Sequence, residues 1–399
     1  MPQTPAPANE FKYSPSTLER TDSTNNPGAP FPIASISKTF CGIVCTLMAV
    51  DGKFGENGIN TTLKEALEDA KSKYPDRAEN INKYLKMLED RGFSDVKISE
   101  LLTHRSGCKD NDELAPSSCK HQTPLEFFSD NLGRGKNQRD QYNYSNNGYT
   151  LLEEIINLVS EKGNYREELK ERIIIKLDLK NTGFLEDSSD PKSNEAGQHL
   201  GKGILIPGSN QNPHSDKIVQ TRTEFPANHT TPLGEVHASC GGLYASVEDL
   251  NIVALELVKM FTGNDNSLTD KAREVSSLYR EQIKEGNHYS LGVEITPILV
   301  DEKQCTTISR TGQFPGNFAK MEVLVPCSLE QLSSDQTITL NDKGLKTNIF
   351  MQKTDYLVST HFTEQAETIP NKMLKEFVNS RLNDDEKNNF LKKKAMKKL

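Results

Sequence analysis

The chain has 399 residues, 34% hydrophobic and 26% charged, with a formal net charge of -8. That length buries a substantial core and suits two domains or one large composite one. The acidic balance argues against nucleic acid as the main partner, and the lack of any run of about 18 apolar residues argues against a membrane-spanning segment.

Residues 1–30 are rich in Pro, Thr, Ser and Asn and read as an irregular arm, with at most a scrap of strand over 11–13. They lack the basic and apolar regions of a secretory leader. The expectation is therefore a cytosolic protein, one exported by another route, or one whose leader has been removed. Residues 31–50, FPIASISKTFCGIVCTLMAV, then place Ile36, Phe40, Ile43, Val44 and Leu47 at helical spacing behind Pro32, and Asp51-Gly52 closes the pattern. Ser35 falls in the first turn. Lys38 lies one turn on, on the same face, where its amine can reach the Ser35 hydroxyl. The exposed backbone donors of a helix start also favour an oxyanion forming beside that serine. This is the S-x-x-K arrangement, with serine as nucleophile and lysine as its activator.

S-x-x-K matches also start at Ser94, Ser117 and Ser189, so the motif at Ser35 proves nothing alone. Context separates them: only Ser35 opens a long apolar helix. Residues 52–60 read as a loop, followed by charged helical segments to about 91. Residues 97–107 end at a glycine turn, and 108–139 are mostly loop with a short helix near 124–130. Tyr144 to Tyr149 is a polar turn feeding a helix whose inner face is Leu151, Leu152, Ile155, Ile156 and Val159. A second helix, about 167–176, follows. The stretch 185–236 is long, polar and broken by Pro and Gly, the mark of a site-lining excursion. After the turn at Gly241-Gly242, a capped helix runs to about 261. From 289 on, strand-like runs dominate (289–296, 306–312, 318–325, 337–340, 348–351 and 356–362), before a closing helix near 374–381 and a basic, solvated tail.

Seven cysteines are scattered through the chain. Cys41 and Cys45 share a helix face and read as small buried hydrophobes, whereas Cys108 and Cys119 bracket a loop and can bridge only in an oxidising compartment. No His or Cys cluster has zinc spacing, and His214, His229 and His237 lack nearby carboxylates at ligand spacing. No metal or cofactor is expected.

Two further segments carry chemistry. Tyr144-Ser145-Asn146 is the only Y-x-N in the chain. A phenol beside cations can act as a base, while the Asn146 amide can hold the lysine and a substrate carbonyl. Alone, Tyr144 is equally a helix-entry aromatic. Arg310-Thr311-Gly312-Gln313 ends one strand and turns into the next. There Arg310 offers a fork for a carboxylate, Thr311 and the Gln313 N–H can face an acyl group, and Gly312 permits close approach. Alone, this is a hairpin.

In order and separation, S-x-x-K, L-L-T-H-x-S-G (from Leu101), Y-S-N-x-G-Y (from Tyr144), G-G-L-Y-x-S-x-x-D-L (from Gly241) and x-T-G-x-x-P-G (from Arg310) resemble the beta-lactamase-related serine hydrolases. That group includes class C beta-lactamases, D-Ala-D-Ala carboxypeptidases, D-aminopeptidases and esterases. The segments from Leu177 to Phe184 and from Tyr289 to Gly292 are further echoes. The resemblance implies a mixed α/β fold, an antiparallel sheet flanked by helices with a helical subdomain. It also implies that Ser35 forms an acyl-enzyme, that Lys38 and Tyr144 move its proton, and that Asn146 positions substrate. The backbone N–H groups of Ser35 and Gln313 would form the oxyanion hole.

The expected division is an arm (1–30), a helical subdomain (31–245), a sheet with flanking helices (246–385) and a basic tail (386–399). Family members carry a helix and two strands ahead of S-x-x-K. Here those strands are expected to be reduced or missing, with the run 337–351 covering the edge left behind. Arg310 stands where the family has Lys or His; it keeps the positive charge but cannot shuttle protons at neutral pH. The sequence thus points to a serine hydrolase acting on an amide, ester or peptide, with a carboxylate-bearing small molecule or peptide favoured by Arg310. The alternative is a penicillin-binding-like module that has lost turnover and serves as an interaction protein.

Overall fold

A computed structural model describes residues 27–109, 123–134, 139–185, 187, 189–197, 203–204, 218–219, 238–300, 302–314, 317–334, 337–338 and 345–353. The strand scrap at 11–13, Ser117, Cys119, His214, His229, His237, the 356–362 run, the closing helix and the basic tail lie outside them.

The organising element is α1 (Ser37–Val50), entered through a 3-10 turn at Ala34–Ile36 and a two-residue strand, β1 (Phe31–Pro32). Its sequence is apolar all round, and every residue from Ser37 to Ala49 is buried, as expected of a helix enclosed on all sides. Around it stand α2 (Leu63–Lys73), α3 (Ala78–Asp90), α4 (Ile98–Leu102), α5 (Pro124–Asn131), α6 (Asn146–Val159) and α7 (Tyr165–Leu169). Local chemistry sets their starts. The Thr62 hydroxyl accepts the Glu65 N–H in a capping box, and Ser145 accepts the Gly148 N–H at 3.1 Å. The second helix expected near 167–176 begins two residues earlier, as α7, and continues as a π-helical stretch over Lys170–Ile175.

Then come β2 (Gly183–Phe184), α8 (Pro191–Gly197), β3 (Gly203–Ile204), β4 (Ile218–Val219) and β5 (Leu243–Ala245). Strands β1, β5 and β2 form one small antiparallel sheet, in that order, while β3 and β4 pair with each other. The capped helix α9 (Val247–Thr262) ends at Gly263, whose φ of 74° only glycine adopts without strain. The sequence reading missed α10 (Ala272–Lys284). Its inner face (Ala272, Val275, Tyr279, Ile283) has helical spacing, but charged residues between those positions dilute the pattern.

The main sheet is antiparallel, with strand order β10-β9-β8-β7-β6, from β6 (Tyr289–Ser290), β7 (Val293–Val300), β8 (Lys303–Phe314), β9 (Asn317–Val325) and β10 (Lys346–Lys353). Along β9, buried Asn317, Ala319, Met321, Val323 and Val325 alternate with half-buried neighbours, the period of a sheet with one face in the core. The β7–β8 ladder ends at Glu294 opposite Ser309, so residues 310–314 run on past it. Of the run expected to cover the sheet edge, the part from Lys346 on is a strand and lies along β9. Ile338 instead takes the Thr262 carbonyl at the end of α9, where Asn264 also holds it, and the short α11 (Leu329–Ser333) precedes it.

By contact, the chain divides into one unit of Met1–Gly203 with Gln220–Tyr356 and another of Ile204–Val219 with Leu357–Leu399. The residues described below belong to the first. No helix among the described residues is long and apolar enough to cross a membrane.

Gly42 lies within α1, yet a Cβ there would sit 1.8 Å from the Leu291 carbonyl oxygen. Gly→Ala in an open helix interior stabilises by about 1 kcal/mol. Here overpacking against backbone reverses the sign: Gly42→Ala should destabilise the fold by roughly 1–3 kcal/mol in urea unfolding.

Candidate active site

Three segments far apart in sequence meet at Ser35. The Ser35 Oγ lies 3.1 Å from Lys38 Nζ and 2.8 Å from the Tyr144 hydroxyl. Lys38 is fully buried, and its amine also donates to Asn146 Oδ1 at 2.8 Å and to the Cys240 carbonyl at 2.6 Å. Those two acceptors take two of the three positions around the nitrogen. The third, toward Ser35, can hold either a lone pair that receives the serine proton or an N–H that returns it.

Local folding explains the meeting. Ala34 sits at φ 45°, an uncommon value for a residue with a side chain, at the turn that presents Ser35. One helical turn later Lys38 shares its face. Ser145 caps α6, which leaves Tyr144 just outside the helix and Asn146 at its first position, both aimed at the lysine. Tyr144 also lies 3.4 Å from Asn146 Oδ1. Cys240 belongs to the turn before β5, and the Leu243 N–H bonds the Ser37 hydroxyl, tying that turn to α1.

Arg310 is buried. It donates from Nε to the Ser35 carbonyl at 3.1 Å and from its two terminal nitrogens to Glu294 at 3.1 Å and the Tyr144 hydroxyl at 3.0 Å. Its guanidinium also lies over the Tyr144 and Tyr289 rings, at 5.2 and 5.1 Å. The sequence reading set this fork out for a substrate carboxylate; in the structure it is turned inward onto the chain's own groups. A Cβ on Gly312 would lie 2.0 Å from the Ile33 carbonyl oxygen and 3.1 Å from the Ser35 nitrogen, so the β8 backbone abuts the turn that presents Ser35. Thr311 and Gln313 are half-buried and, by strand alternation, lie on the other face from buried Arg310 and Gly312.

The sequence reading gave no role to several partners here. Tyr289 opens the Y-S-L-G echo and Glu294 follows it, and nothing in sequence spacing pairs either with Arg310. Four of the motif segments meet, in two pairs, through structure rather than chemistry. Asp249 accepts from the Asn181 N–H and the Thr182 hydroxyl, both at 2.7 Å, and the Tyr149 hydroxyl donates to the Leu102 carbonyl at 2.8 Å.

Residues 14–293 match the Beta-lactamase family. The chain belongs to that family. FmtA from Staphylococcus aureus shares the fold at 14% identity, with a TM-score of 0.52 over 88% of this chain and 77% of that one. An octameric penicillin-binding protein homologue from Pyrococcus abyssi matches at 16% identity and a TM-score of 0.49, covering 87% and 67% of the two chains. A class C beta-lactamase from Rhodobacter sphaeroides matches at 15% and 0.45, covering 77% and 84%. No curated protein sequence matches. Membership gives the fold, a beta-lactamase/transpeptidase-like mixture of helices and antiparallel sheet, and a place among serine hydrolases.

His104, in the L-L-T-H segment, sits behind this centre at φ 57° and is buried. Its Nδ1 accepts the Ser145 N–H at 3.1 Å, fixing the link between Tyr144 and Asn146, and its Nε2 is buried with no hydrogen-bond partner among the described residues. The ring packs against Tyr142, Tyr144, Tyr149 and Tyr289 at centroid distances of 4.5–5.8 Å. Burial first, then the Arg310 and Lys38 cations, push its pKa well below the ordinary histidine value. The unfolded chain therefore binds a proton near pH 6.5 that the folded one refuses. As pH falls below about 6.5, stability should drop by up to about 1.4 kcal/mol per unit. His104→Asn tolerates the left-handed backbone and keeps an acceptor. It should flatten that fall in thermal melts between neutral and mildly acidic pH.

Proposed function

We propose that this chain is a serine hydrolase that cleaves an amide, ester or peptide bond through an acyl-enzyme on Ser35. The observation that carries the reading is the pair of short contacts from Ser35 Oγ to Lys38 Nζ and to the Tyr144 hydroxyl. Both are within the reach that proton transfer requires.

In this reading Ser35 Oγ bonds to the substrate's acyl carbon while its proton passes to Lys38 or Tyr144. The leaving amine or alcohol takes that proton as the C–N or C–O bond breaks. Water then adds to the acyl carbon, gives up a proton by the same route, and the serine leaves as its hydroxyl. Asn146 holds Lys38 against the serine and, in this reading, positions the substrate. The oxyanion falls to the N–H groups of Ser35 and Gln313; the close approach of Gly312 to the Ser35 nitrogen supports that assignment. Arg310, bonded to the Tyr144 hydroxyl, holds the phenol in line.

A fluorophosphonate probe should add its mass to the peptide containing Ser35, and Ser35→Ala should abolish the adduct. Lys38→Ala and Tyr144→Phe should each lower the labelling rate by about 100-fold or more, the usual scale of acid–base assistance. An unlabelled wild type, or a label that survives Ser35→Ala, overturns the reading.

A further inference from the structure

Arg310 and Glu294 bear on which substrates such a site accepts, an inference that rests on the hydrolase reading above. Three of the five N–H donors of the Arg310 guanidinium are spent on the Ser35 carbonyl, Glu294 and Tyr144, and its side chain is only 4% exposed. A bidentate hold on an incoming carboxylate needs two neighbouring N–H groups that face solvent, and this geometry does not provide them. Lys38 is likewise enclosed, with its three contacts all to the protein. Neither cation of the centre is presented outward.

What faces outward beside them is an acid. The Glu294 side chain is 43% exposed, and its carboxylate is separated from the Tyr144 hydroxyl by a single guanidinium. Its neighbour Tyr289 stacks beneath Arg310 and packs 5.9 Å from the ring of Tyr142, which is 48% exposed. The approach thus combines an exposed aromatic ring with a partly exposed negative charge.

We propose that the site takes acyl donors whose acyl group is uncharged and turns away those carrying a carboxylate there, with Glu294 as the discriminating residue. Repulsion between two carboxylates is weak in bulk water and stronger near a protein surface, and added salt screens it between exposed groups.

The test uses the full chain and two 4-nitrophenyl esters that differ at one end of the acyl chain, the hexanoate and the adipate half-ester. Ser35 labelling by a fluorophosphonate is measured alongside. The wild type should favour the hexanoate by about tenfold or more in kcat/KM at low salt, and high salt should narrow the ratio. Glu294→Gln should shrink the preference at least about threefold, and Glu294→Lys should shrink it further or reverse it. A mere preference for apolar chains would leave the ratio unmoved by salt and by both variants. Equal or preferred turnover of the adipate by wild type, or a ratio indifferent to Glu294, overturns the inference. So does labelling of Ser35 without turnover of either ester. Absence of both labelling and turnover overturns the hydrolase reading itself.

Discussion

The structure depends on backbone packed against backbone around α1. Gly42 faces the Leu291 carbonyl, Gly292 faces the Lys38 carbonyl, and Gly312 faces the Ile33 carbonyl, each where a Cβ would come within 2.3 Å of oxygen. At such separations there is no side chain to adjust, so the three contacts fix α1 and its entry turn against the sheet edge. That placement brings Ser35 under the end of β8 and Lys38 into a buried position. A looser joint at any of the three would move the Ser35 hydroxyl relative to Lys38, Tyr144 and the β8 backbone.

Burying Lys38 and Arg310 side by side requires compensation, because an isolated interior charge is costly. The fold supplies it from many elements. Lys38 has a side-chain amide, a turn carbonyl and the Tyr144 and Tyr149 rings, the last two at 5.0 and 5.5 Å. Arg310 has Glu294, the Ser35 carbonyl and two rings. His104, uncharged behind them, adds no third cation and instead holds the Tyr144–Asn146 link from the rear. The aromatic cluster therefore serves two purposes: it fills the space between α4, α6 and β6, and it presents π-faces to the two cations.

The inward turn of Arg310 follows from the chemistry of its side chain. A lysine is a point charge on a flexible stem, whereas arginine is a planar fork that takes fixed partners. Here the fork is spent on the chain's own carbonyl, phenol and carboxylate, and among those partners the Glu294 side chain is 43% exposed.

By itself, the sequence determined the elements and the ingredients. Helix α1 announced itself through apolar spacing and a closing Asp-Gly, α6 through its apolar inner face behind a polar turn, α9 through its cap, and β7 to β9 as strand-like runs. Ser35 and Lys38 are three residues apart on one helical stretch, so local geometry was enough to pair them. The order of five motifs was enough to suggest the family. What sequence spacing could not show was every relation that crosses the fold. Tyr144 is 109 positions from Ser35, Cys240 is 202 from Lys38, and Arg310 is 275 from the carbonyl it holds. Helix α10 went unread because its polar face outweighs a narrow apolar stripe, and Glu294 because nothing in a strand's alternation says which cation lies beyond its edge. The direction of Arg310 was decided only in three dimensions, since a guanidinium points wherever the packed acceptors are, and those acceptors come from other segments.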